Sequence, residues 1–125
     1  MPAKQFLLIF SWLLSNAVFA QFPSFVAEVE TRQALVGSPF NIEFSLKNAE
    51  GSGFTAPDFG GLQVIAGPSR SMQTNVINGR MSSSIGYVYS LVGTKPGTYI
   101  ISPAKIRTGS KVLNTQPITI QIIQA

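Results

Sequence analysis

The stretch "FNIEFSLK", Phe40 to Lys47, alternates without a fault. Phe40, Ile42, Phe44 and Leu46 fall on one side; Asn41, Glu43, Ser45 and Lys47 fall on the other. A repeat of two is that of a strand with one face in a core and one in water. The same pattern returns in "ITIQII", where Ile118, Ile120 and Ile122 point one way. In "FVAEVE", Phe25, Ala27 and Val29 oppose Val26, Glu28 and Glu30. Past the first twenty residues, no segment carries apolar residues at helical spacing over three turns. The chain reads as all-β.

Turn-forming clusters separate the alternating runs: "VGSP", "NAEGSG", "PDFGG", "AGPS", "NG", "GTKPG", "TGS" and "NTQP". The eleven glycines and eight prolines fall mainly in these clusters. Short strands punctuated this way predict a β-sandwich, here an immunoglobulin-like one of seven to eight antiparallel strands. No linker is long enough to divide it, so residues 21–125 read as one domain.

The first twenty residues read as a signal peptide, with Lys4 before an apolar run from Phe6 to Leu14 and small residues up to Ala20. That predicts an exported protein, periplasmic or facing the periplasm from the inner membrane. No later apolar run is long enough to cross a bilayer, so membrane attachment is expected only through a segment absent from this chain. There is no cysteine, which removes disulfides, thiol nucleophiles and a cysteine lipid anchor together. The formal net charge of +4 serves solubility and is no dense basic stripe, so no nucleic-acid partner is expected.

Asn78-Gly79 predicts a type I′ turn, because both central residues of that turn need positive φ. Such a turn sets Val76 against Met81, Met72 against Ile85 and Arg70 against Tyr87. Gln73 against Ser84 and Asn75 against Ser82 then form the polar side, with Ser83 on the other.

Chemistry is poorly supplied. A serine nucleophile wants a base within hydrogen-bond reach, and the chain has no histidine. Lys95, Lys105 and Lys111 do not meet Ser82–Ser84 in the hairpin register. The five acids are Glu28, Glu30, Glu43, Glu50 and Asp58, with no converging pair for acid–base work. Glu28 and Glu30 share a strand face and read as solvated side chains. Ligands for zinc or calcium are missing, and no phosphate-cradling glycine loop opens a helix. The expectation is a non-enzyme without a cofactor.

Two binding features remain. The hairpin arm offers Arg70, Asn78, Gly79, Arg80, Ser82, Ser84 and Tyr87 as candidate partner contacts, a composition common on recognition surfaces. Lys105, Arg107 and Lys111 flank the Gly109-Ser110 turn as a candidate basic patch. Tyr87 and Tyr89 suit either core packing or, if exposed, stacking on a sugar ring.

The ordered segments "VGSPFNIEFSLKNAEG", "APDFGGLQVIAGPSRSMQTNVINGRMSSSIGYVYSL" and "KPGTYIISPAKI" resemble the N-terminal region of the BatD, or oxygen tolerance, family. The resemblance implies immunoglobulin-like domains in an envelope protein linked to aerotolerance and stress response. It also implies assembly with von Willebrand A-domain Bat proteins, and it carries over no catalytic residue. The reading it supports is a protein-binding or scaffold domain. The alternatives are a carbohydrate- or surface-polymer-binding module and a structural spacer.

Overall fold

The computed structural model describes residues 22–125, and the signal-peptide segment lies outside them. Ten strands make up the secondary structure: β1 (Ser24–Val29), β2 (Gln33–Leu35), β3 (Phe40–Lys47), β4 (Ser52–Thr55), β5 (Gln63–Ile77), β6 (Arg80–Val92), β7 (Gly97–Ile101), β8 (Lys105–Thr108), β9 (Lys111–Asn114) and β10 (Ile118–Ile123). Among the described residues no helix is long and apolar enough to cross a membrane. The all-β reading holds, and the immunoglobulin-like sandwich agrees with it. The count exceeds the expected seven or eight because β2, β4 and β9 are only three or four residues long.

One sheet runs β1-β3-β6-β5, a second β2-β10-β7 and a third β4-β8-β9. Pairing is antiparallel except between β10 and β2, which run parallel with Gln121 beside Gln33. The alternation in β3 explains its place at the centre: Phe40, Ile42, Phe44 and Leu46 are all buried, while Asn41 and Lys47 are exposed. Ile118, Ile120 and Ile122 of β10 are buried in the same way, with Thr119 and Gln121 exposed. A single apolar cluster joins these side chains to Ile85, Tyr89 and Leu91 of β6, Ile101 of β7 and Ile106 of β8. Each fully buried side chain of this kind contributes about 1.5–3 kcal/mol by leaving water.

Short polar links hold the loops. The Ser102 amide donates to the Asp58 carbonyl at 3.0 Å, and the Asp58 amide returns a bond to Ser102 Oγ at 2.9 Å. Thr115 spans the second and third sheets: its amide donates to the Ala104 carbonyl at 3.0 Å, and its Oγ1 accepts from the Ala104 amide at 2.8 Å. Those bonds close the segment ahead of β8, so that Ile106 reaches the core.

One expected turn lies inside a strand, and a second gives its last two residues to one. "AGPS" does not divide two strands; β5 continues through it, and the chain absorbs the extra residues as register shifts between Val64 and Ala66 and between Ala66 and Ser69. A bulge lets a strand take an added residue while keeping its partner. "NAEGSG" likewise runs into β4, whose register shifts between Ser52 and Thr55, with Gly53 at φ 64°.

Candidate functional site

The hairpin of β5 and β6 turns at Asn78-Gly79, with φ 53° and 76°, as a type I′ turn requires. Nine pairs follow in unbroken register, from Ile77↔Arg80 to Ser69↔Val88, including Val76↔Met81, Met72↔Ile85 and Arg70↔Tyr87. The hairpin spacing read from the sequence is therefore correct along the whole arm. On the far side of β6, β3 accompanies it only from Leu91 to Ser84. The outermost four pairs project beyond the sheet, anchored there by the Asn48 amide donating to the Ser83 carbonyl at 2.9 Å.

The projection and the two pairs just below it have two faces. The side continuous with the core carries Met72, Val76 and Met81, exposed by 72%, 65% and 72%, with Thr74 and Ser83 between them. A groove of about 440 Å³ lies here, lined by Ala49, Glu50 and Gly51 on one wall and by Arg70, Met72 and Met81 on the other. The opposite side carries Asn75, Ser82, Gln73 and Ser84, with Ile77 and Arg80 at the tip. The three serines are thus split between faces, and their hydroxyls converge on no point.

One neighbour of those serines was not visible in the hairpin register. Lys47 stands directly opposite Ser84 across the β3–β6 ladder. Lysine activates a serine when it is desolvated enough to be neutral, and Lys47 is exposed. The two belong to a polar trough on the outer face, about 210 Å³, that also takes in Glu28, Glu43, Ser71 and Gln73. Glu43 reaches across Gly86: a Cβ there would meet Glu43 Oε2 at 2.7 Å. Glu28 pairs with Glu43 in register. Among the described residues no group of three or more acidic side chains gathers as a metal site.

The tyrosines pack. Phe54 lies flat on Tyr87, with ring centroids 4.0 Å apart and planes 4° from parallel. Tyr89 is buried between Phe44 and Phe59, at 6.0 and 5.1 Å. Burial, and after it the neighbouring Tyr87, pushes the Tyr89 phenol above its ordinary value. The exposed coplanar platform that a sugar ring would need is absent at these two residues.

The basic residues divide as well. Lys105 and Arg107 share the outward face of β8, beside Thr55 and Ser52 of β4, over a depression of about 470 Å³. Lys111 pairs with Thr108, on the face that carries Ile106 and Leu113, so it does not join them.

The family model of the BatD DUF11-like domain matches residues 27–122, most of the chain. The chain belongs to the BatD family. The match covers every strand from the middle of β1 to the end of the buried isoleucine row in β10, so the arm and the sandwich lie within it. No curated protein and no solved structure matches this BatD domain.

Proposed function

We propose that this BatD domain is a non-catalytic protein-binding or scaffold module, exported to the periplasm, and that the β5–β6 arm is its contact element. One observation carries the reading: four strand pairs extend past the sheet and hold Val76, Ile77 and Met81 in solvent, with Met72 exposed just below them, where they add nothing to the core. Exposed apolar groups rimmed by polar ones mark interaction surfaces. The dispersal of Ser82–Ser84 over two faces and the exposure of Lys47 favour binding over hydrolysis. By family membership the partners are envelope proteins of the von Willebrand A-domain Bat kind, and the process is aerotolerance and stress response.

The packing of Tyr87 and Tyr89 disfavours the sugar-binding alternative. A spacer domain would have no use for the arm's exposed apolar side chains. In-cell photo-crosslinking decides between them, with reactive residues at Thr74 and Met81 on the arm and at Thr119 on the second sheet. Specific adducts to one envelope protein from the arm alone support the reading; equal or absent adducts at all three positions overturn it.

A further inference from the structure

We propose that the free edge of β5 binds its partner by strand addition, and that the added strand is an extended, amphipathic, acidic segment of another protein. This rests on the arm being the contact element. It adds how the arm holds its partner and which backbone groups take part.

The donors and acceptors can be counted from the turn. In a type I′ turn the carbonyl of the first residue accepts from the amide of the fourth, here Ile77 and Arg80. Ile77 therefore points its backbone polar groups at β6, and by alternation so do Asn75, Gln73 and Ser71. Arg70, Met72, Thr74 and Val76 point theirs the other way, off the edge of the sheet. The Ser83 carbonyl, opposite Thr74, agrees with this phase: it faces away from β5 and accepts from Asn48.

Among the described residues no strand pairs with that edge, since β5 ends the order β1-β3-β6-β5. Its 15 residues are all exposed, whereas the strands at the other sheet edges run from three to six residues. Proteins usually guard long edges with proline, bulges or inward charges. β5 has Pro68 and both register shifts in its lower half, and from Ser69 to Ile77 it has neither, with Arg70 as the one charge. The guarded half and the open half meet where the arm leaves the sandwich.

Strand addition takes affinity from the backbone and specificity from alternate side chains. Residues of an added strand that face Arg70, Met72, Thr74 and Val76 lie on the groove side, against the Met72–Met81 wall, and suit apolar groups. Those between them lie with Ser71, Gln73 and Asn75 and suit polar ones. Residues 63–92 contain Arg70 and Arg80 and no acid, and Glu50 alone supplies negative charge to the groove. A second copy of this arm would bring only positive charge beside positive charge, so charge complementarity points to an acidic partner strand.

The test uses the protein with a nine-residue peptide alternating valine and threonine, capped by aspartate at both ends, followed by amide hydrogen exchange. Binding should slow exchange at Arg70, Met72, Thr74 and Val76, while Ser71, Gln73 and Asn75 are already slow in the free protein. A peptide with lysine caps should bind about tenfold more weakly. Thr74→Pro removes an outward donor only; it should abolish binding and leave the amides of Ser71 and Gln73 protected, which shows the arm still folded. Protection without alternation, or equal binding of the lysine-capped peptide, overturns the proposal. Concentration-dependent protection of the same four amides without peptide would make a second copy the occupant and overturn it too. If Thr74→Pro leaves the in-cell adducts from Met81 unchanged, the arm remains the contact and strand addition falls. If the unsubstituted arm gives no adducts, the functional reading itself falls.

Discussion

Phe54 and Tyr87 stack face to face at 4.0 Å, and that contact ties β4 to the base of the hairpin arm. It exists because β4 takes a bulge at Gly53, φ 64°, which turns Phe54 inward onto an aromatic group that includes Phe25, Phe44 and Tyr89. Phe54→Ala should destabilise the domain by about 2 kcal/mol, below the 3–5 typical of a fully buried phenylalanine because Phe54 is half-buried. A double-mutant cycle with Tyr87→Ala should leave a coupling of about 0.5–1.5 kcal/mol in urea unfolding.

The turn should be separable from the core. Gly79 sits at φ 76° with open space around it, so Gly79→Ala is strained by its backbone alone. The expected local cost is about 1–2 kcal/mol. Because the turn lies four pairs beyond Ser84, exchange should quicken at Asn75–Met81 while the urea midpoint barely moves.

Met72 and Met81 should be dispensable for stability. Both are 72% exposed, and replacing both with serine should change unfolding free energy by at most about 0.5 kcal/mol. The same double variant should lose the arm's in-cell adducts. Loss of fold instead would show that these side chains pack in solution.

Tyr89 gives a pH dependence with a definite sign. Its folded-state pKa is raised, so the native state holds the phenolic proton more tightly than the unfolded chain does. The stabilisation is full below the unfolded value of about 10 and is lost as pH rises from there through the folded value. Unfolding midpoints measured between pH 8 and 11 should fall more steeply for the natural protein than for Tyr89→Phe.

What sequence could show was whatever is local. The Asn78-Gly79 pair sets the hairpin register by itself, because a two-residue turn leaves the flanking strands no freedom to slip. The alternation of Phe40–Lys47 set its buried face for the same reason. Lys47 opposite Ser84 was hidden because it depends on β3 finding β6 across the intervening β4 and β5, and no local pattern encodes that register. The packing of Tyr87 depends on Phe54, which sits in a glycine-rich stretch that reads as a turn until the bulge is seen. Lys111 parts from Lys105 and Arg107 for a simpler reason: hairpin pairing places it opposite Thr108, one step out of phase.

If the projecting arm exists for contact, shortening it should abolish the contact and spare the fold. Deleting Val76, Ile77, Arg80 and Met81 removes the two outermost pairs and leaves Asn78-Gly79 to join Asn75 to Ser82, with every remaining residue on its own face. In-cell crosslinking from Thr74 should then lose its specific envelope adduct, while the thermal midpoint stays within a few degrees of the full-length arm. Undiminished adducts from the shortened arm, with the fold intact, would show that the projection is not the contact element.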